Sequence, residues 1–396
     1  MKSSLRTILF YIYFSITVGL IVAGLDFILI KGIEFGSKIR NENLKICLLL
    51  LPFSGVLTAH LYKIYGKGSG KGVGYVVEAA GNEEMKIPKR MAIFSIIATW
   101  FSHIFGASVA GVGAGIQIGA SVSGIVERAL GKKLSLDTKE LRSTLISSGI
   151  AAAFSGLIGT PIAAIVFSIE LLRHYKIDYK SILPRVLASY TTYWSVKYLG
   201  INFFRFEIRE LPEFDIKTVM AIVISGVIFS VVGYVFSLLL NKLKTDHYLN
   251  SLGSEKKIFA VSIVLALTLY FAHEGRYSSH GTNLIMNSLY SGEIYWYDWI
   301  FKLLASVMSL GVGYQGGEVT PLFSIGASLG FLMGSLFKIS IPFLVVLGYC
   351  TVFGVASNLL ITALVLGVEV FGYSISGYLA VIMLLAHFIR KRLFKI

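Results

Sequence analysis

The chain has 396 residues, 55% of them hydrophobic and only 15% charged, with a mean hydropathy of +0.74. One core in water could not bury that much apolar surface at this length, which excludes a soluble globular domain and points to a membrane protein. The net charge of +14 does not read as a nucleic-acid surface. Much of the Lys and Arg falls in short connectors, KIYGKGSGK, MKIPKR, RHYKIDYK and the terminal RKRLFKI, which the positive-inside tendency places at the cytoplasmic face against anionic lipid headgroups.

In chain order, MKSSLRTILFYIYFSITVGLIVAGLDF begins basic like a signal peptide, but its apolar part is too long and no small-residue cleavage site leads into a polar chain. It reads as the first membrane helix. Cys47 and Cys350 lie inside apolar runs, which predicts buried thiols rather than a disulfide framework or a metal cluster. Residues 218–240 carry no charge, and 258–271 and 341–368 are nearly as clean, so several spans are expected. Many other apolar runs stop at a Gly, Pro or Ser cluster before they are long enough to cross a bilayer. Helices broken inside a membrane need their freed backbone satisfied by protein, water or ligand, as at transport sites.

Two pairs of segments recur in the same order. IGASVSG at 118–124 matches IGASLGF at 325–331, each after a glycine cluster, GVGAG at 111–115 and GYQGGEVTP at 313–321. TPIAAIVFSIEL at 160–171 matches LLITALVLGVEV at 359–370, with Glu170 opposite Glu369. Small-residue helices are common in membranes because Gly, Ala and Ser let backbones approach. Two matches in register, with an acid at the same place, favour a duplicated half, and duplicated halves of transporters commonly run in opposite orientations. The expected division is 1–210 and 211–396, in the polar segment FEIRELPEFD. Glu170 and Glu369 suit helix-end surface positions as well as a path.

A helix that starts at mid-membrane offers unpaired N–H groups and the positive end of its dipole, which together attract an anion. GGEVTP has the grammar of such a start: glycines for close approach, ending at Gly317, then Glu318, Val319 and Thr320, then Pro321 in the first turn where its missing N–H costs nothing. Gly111, Val112 and Gly113 form the repeat-related start. A cation path would instead call for clustered carboxylates or exposed carbonyl ends.

At these residues the chain resembles a known family. GVGYQGGEVTPLFSIGASLG, with the preceding helix WIFKLLASVMSL and its Lys302, is similar to the GGEVTP signature in the fluoride-transporting branch of the CLC anion channels and transporters. IPKRMAIFSIIATWFSHIFGASVAGVGAGIQIG resembles the family's GxEG region, GTPIAAIVFSIEL its next helix pair and GYCTVFGVASNLLITALVLGVEVFG its late one, so the likeness covers residues 67–388. It implies an all-α polytopic integral membrane protein of the CLC-type fold, with two inverted-topology halves and broken, re-entrant helices. It further implies a homodimer in the cell membrane, a pore for fluoride or chloride in each subunit, and no cofactor. No cytoplasmic regulatory domain is expected, since the sequence stops at Ile396.

The departures from the family pattern bear on mechanism. In the family motif a glutamate at the outer anion position serves as gate and proton acceptor; Val112 takes that gate position here, and an isopropyl group fills space but cannot titrate. Where many chloride-type members have a serine at the central ion, the fluoride branch is apolar, and Val73 corresponds. The family's central tyrosine is matched by His387 in GYLAVIMLLAHFIRKR, with Ala386 as neighbour if the register slips. A histidine there either donates to an anion and titrates near neutrality, or lies at the interface beside the basic tail. SNLLIT at 357–362 stands where Asn-Thr-Pro is expected, leaving Asn358 as the polar remnant. Glu318 is intact; by resemblance it belongs to the transport machinery, and by position it suits a helix-capping acid. Thr320 offers its hydroxyl to the path or caps the same helix. Phe154 and Phe323 either turn positive ring edges toward a small anion or pack.

Val112 at the gate position predicts passive or weakly proton-coupled halide passage. Fluoride/proton exchange through Glu318 or His387 is the competing mechanism, and a non-transporting CLC-like scaffold is a competing class. An intramembrane enzyme has little support, with no HExxH, no GxSxG at a helix start and no paired intramembrane aspartates. The partners expected are halide anions, protons, membrane lipid and a second copy of the chain.

Overall fold

In the computed structural model, which describes residues 2–66, 69–82, 85–134, 141–172, 181–208, 211–290 and 292–393, the chain is a succession of helices, as the all-α expectation requires. They are α1 (Lys2–Glu42), α2 (Leu44–Tyr65), α3 (Val73–Gly81), α4 (Met91–Phe105), α5 (Val112–Leu134), α6 (Arg142–Ile158), α7 (Pro161–Leu171) and α8 (Ile182–Tyr198). There follow α9 (Ile216–Thr245), α10 (His247–Ser251), α11 (Ser254–Phe271), α12 (Thr282–Leu289), α13 (Asp298–Val312), α14 (Val319–Phe337), α15 (Ile341–Ser357), α16 (Leu360–Phe371) and α17 (Ser376–Leu393). The connector RHYKIDYK at 173–180, residues 67–68 of KIYGKGSGK, residues 209–210 of the expected boundary and the end of the basic tail lie outside the described residues.

Among the described residues, five segments are long and apolar enough to cross a membrane: Arg6–Glu42, Leu44–Tyr65, Ile216–Ser251, Val319–Phe337 and Tyr373–Leu393. Four apolar helices, α4, α7, α15 and α16, have only 10–17 residues, about 15–25 Å of helix against a hydrocarbon core of about 30 Å. The apolar run at 341–368 is two helices rather than one. Asn358 adopts a left-handed conformation (φ 57°) as the cap of α15, and α16 begins at Leu360; Asn tolerates that backbone better than other side chains with a Cβ. The break between α6 and α7 is made by Gly159 (φ 79°), with Pro161 as the first residue of α7.

The chain divides into two compact units: Met1–Phe35, Leu61–Trp100 and Gly111–Phe204 form the first, and Gly36–His60, Phe101–Ala110 and Arg205–Ile396 the second. In the first unit, Phe14, Val22 and Leu29 of α1 share an apolar core with Ala114 and Ile118 of α5 and Ala152 of α6. Lipid gives no hydrophobic drive to press helices together, so close backbone contact through small residues has to do so. At the contact of α5 with α6, a Cβ on Gly119 would lie 2.0 Å from the Gly149 carbonyl oxygen, and one on Gly149 would lie 2.2 Å from that of Gly119. The second unit uses the same device. Between α14 and α15, a Cβ on Gly326 would lie 2.2 Å from the Gly348 carbonyl oxygen, and one on Gly348 2.3 Å from that of Gly326. Gly119 and Gly326 are the glycines of the two IGAS segments.

Candidate functional site

In the first unit α5 begins at Val112, immediately after Gly111. Val112 is 2% exposed and Ala114 is fully buried. A Cβ on Gly111 would meet Ile33 at 3.0 Å and Leu29 at 3.8 Å, and one on Gly115 would meet Leu157 at 2.4 Å. The first turn is therefore enclosed by α1 and α6. It reads Val-Gly-Ala-Gly, with no titratable side chain, and its leading N–H groups have no acceptor within the helix. Val73, half-buried, is the first residue of α3, which packs along α5; the preceding Gly72 has φ 59° and approaches the side-chain amide of Gln117. That amide donates back to the Gly113 carbonyl at 3.2 Å, holding the end of this small-residue turn.

In the second unit α13 ends at Gly313 (φ 106°), and the chain passes through Gly316 (φ 152°) to start α14 at Val319. Ala110 donates its N–H to the Gly317 carbonyl at 2.8 Å, and Gly317 donates to that of Ala110 at 2.6 Å. Glu318 stands at the N-cap position of α14 but makes no side-chain capping bond. Its Oε1 instead accepts from the Ser357 hydroxyl at 3.2 Å, which carries the carboxylate to the end of α15, beside Asn358. The helix-capping alternative for Glu318 is thus replaced by a tie to the late motif. Val319 is buried, Thr320 half-buried, and Pro321 falls in the first turn as expected.

The segment before Ala110 is fastened to α13. Lys302, fully buried, donates to Ser108 Oγ at 2.7 Å and to the carbonyls of Ser279 at 2.6 Å and Tyr277 at 3.1 Å. The Ser108 N–H donates to Ser309 Oγ at 2.9 Å, and Ser108 and Ser306 share a hydroxyl hydrogen bond at 2.9 Å. His103 Nδ1 lies 2.5 Å from Ser279 Oγ. The Lys302 ammonium is thus met by carbonyl dipoles and a hydroxyl, which satisfy its three donors. Sequence reading marked Lys302 only through the family resemblance. Ser108, His103, Ser279 and Ser357 were missed, because single polar residues in apolar runs carry no spacing signal.

The aromatic candidates make ring contacts within their units. Phe154 stacks on Phe167 with centroids 4.2 Å apart; Phe323 stacks on Tyr349 at 4.0 Å and meets Phe353 edge-on at 5.0 Å. Tyr349, buried beside Phe323, is a tyrosine the sequence reading did not single out. His387 is exposed on α17, against Phe388, while Ala386 is buried.

The profile of the voltage gated chloride channel family matches residues 53–391. A chloride/fluoride channel protein of Pseudomonas syringae pv. tomato is 28% identical over 338 residues, covering 84% of this chain and 74% of that protein. An H+/Cl− exchange transporter of Vibrio campbellii is 21% identical over 336 residues, 80% of this chain and 70% of that one. Among solved structures, a CLC-type fluoride/proton antiporter superposes with a TM-score of 0.90 at 33% identity, covering 96% of this chain and 95% of that one. A slow cyanobacterial Cl−/H+ antiporter shares the fold, with a TM-score of 0.81 at 18% identity over 98% and 95% of the two chains. Helices of membrane-spanning length, glycine-led helix starts and these matches together make the chain an integral membrane protein of the CLC family, near its fluoride branch.

Proposed function

We propose that the protein carries halide anions, fluoride or chloride, across the cell membrane by way of the backbone amides at its glycine-led helix starts, passively or with weak proton coupling, each copy in a homodimer having its own path. Val112 carries this reading. It opens α5, is buried, and has no proton to exchange, so the first turn of α5 has no side chain that can compete with an anion and swing away on protonation. Likeness to a chloride/fluoride channel protein and to a CLC-type fluoride/proton antiporter supports the halide class.

Purified protein in liposomes loaded with potassium fluoride or potassium chloride should release the halide when valinomycin clamps the potential. Absence of release for both salts would leave the non-transporting scaffold instead.

A second reading, fluoride/proton exchange, is favoured by one observation: Glu318 is bonded to Ser357 rather than spent as a helix cap. His387, exposed on α17, gives that reading less support. Glu318→Gln should then abolish proton movement with the protein still folded; unchanged proton movement would dismiss it.

A further inference from the structure

Asp26 lies in the apolar stretch of α1, in the first unit, fully buried. Neither of its carboxyl oxygens has a hydrogen-bond partner. The space it occupies is made by a glycine: a Cβ on Gly156 of α6 would lie 2.4 Å from Asp26 Oδ2 and 2.8 Å from the Thr192 methyl of α8. The Thr192 hydroxyl is directed to the carbonyls of Ala188 at 2.9 Å and Gly19 at 3.1 Å, so it gives Asp26 no proton.

Several charged and titratable groups on the elements around Asp26 have positions or partners of their own. On α1, Lys31 and Glu34 pair with each other at 2.8 Å, both exposed. On α6, Arg142 is fourteen residues from Gly156, about 21 Å along the helix. On α8, Arg185 is seven residues from Thr192, about 10 Å along the helix, and is bonded to Ser147 and Ser181; Lys197 lies over Trp194, and Tyr193 stacks on Phe203. On α5, Glu127 and Arg128 lie more than a dozen residues beyond Val112.

The face of α1 that carries Asp26 runs on to the start of α5. Asp26, Leu29 and Ile33 follow one another at i, i+3 and i+7 on one face of α1, and Leu29 and Ile33 are the residues that face Gly111. Gly156, against which Asp26 rests, adjoins Leu157, which covers Gly115. An ionised carboxylate with no partner and no counter-charge in such a place is far costlier than a neutral acid.

Resting on the halide reading above, we propose that Asp26 is a proton-binding site that regulates anion passage. Its carboxyl carries a proton in the conducting form, and loss of that proton sets a negative charge beside the first turn of α5, where it opposes the anion that the amides attract. The mechanism supplies a titrating group to a helix start that has none of its own.

The test is valinomycin-clamped fluoride efflux from liposomes at equal internal and external pH, stepped from acid to alkaline, for wild type and Asp26→Asn. Wild-type efflux should fall severalfold toward alkaline pH while the variant stays near the acid rate throughout; a variant that follows the wild-type profile overturns the proposal. A readout independent of transport is the infrared carbonyl band of a protonated carboxyl in wild-type protein labelled with 13C-aspartate. A band at neutral pH that shifts with the label and is missing from Asp26→Asn supports the site; absence of a label-sensitive band overturns it, whether or not the variant folds. If neither protein moves halide at any pH, the transport reading fails, while the infrared band still decides the proton site.

Discussion

Ala110 and Gly317 exchange both of their backbone hydrogen bonds in a bridge that belongs to no larger sheet. Each is two residues ahead of the first residue of a helix, Val112 and Val319. Buried backbone between helix ends needs partners, and here two such segments supply them for one another.

That bridge depends on Gly316, whose φ of 152° suits only glycine and whose Cβ would come within 2.6 Å of Val109. Gly316→Ala should destabilise the folded protein by about 1–3 kcal/mol, seen as a lower melting temperature in detergent. An unchanged melting temperature would show that the loop relaxes freely.

The helix crossings at IGAS predict a pair of parallel losses. Gly119→Ala and Gly326→Ala each direct a methyl into a backbone carbonyl rather than a mobile side chain. Both variants should lose monodisperse behaviour in size-exclusion chromatography or melt well below wild type, while Gly377→Ala, where nothing lies within 4 Å, should behave as wild type.

Lys302→Met removes the donor shared by Ser108, Tyr277 and Ser279 and takes this partner from the buried Tyr277 and Ser279 carbonyls, at about 1–3 kcal/mol for each. The melting temperature should drop sharply. A variant as stable as wild type would mean that water replaces the ammonium.

Asp298, fully buried, accepts from Arg276 at 2.8 and 3.0 Å and from the Tyr277 hydroxyl at 2.7 Å. Asp298→Ala takes the carboxylate from a half-buried Arg276 that keeps the Glu293 carbonyl, so the loss should fall below the about 3–5 kcal/mol of a fully buried pair. Chemical or thermal unfolding should read that loss.

At the start of α9 the Thr218 N–H donates to Asp215 and holds its carboxyl below the usual carboxylate range. A depressed folded value means that the stabilisation is present above the unfolded carboxyl's range and is lost as pH falls through the folded one. Asp215→Ala should therefore melt below wild type at neutral pH, with the gap narrowing in acid. A gap that is independent of pH would assign the cap no charge contribution.

Much of the fold was legible in the sequence, because apolar runs, glycine clusters and helix-start prolines act locally. The starts at Val112 and Val319 and the break before α7 follow from Gly and Pro at defined positions, whereas the division of 341–368 at Asn358 was not read, because one Asn hardly lowers the hydropathy of that run. The tie from Ser357 to Glu318 and the clamp of Lys302 on Ser108 were not legible, since they join residues far apart in sequence through single polar groups. Asp26 was overlooked for a different reason: one acid in a long apolar helix barely changes its composition, although such an acid is itself a functional signal.

The most direct test of the central claim is the number of protons moved per halide, recorded with a pH electrode and a halide electrode in the same liposome suspension. The account predicts halide efflux without stoichiometric proton movement in wild type, and a slower, more acid-dependent efflux in Val112→Glu. A fixed proton-to-halide ratio in wild type would contradict it.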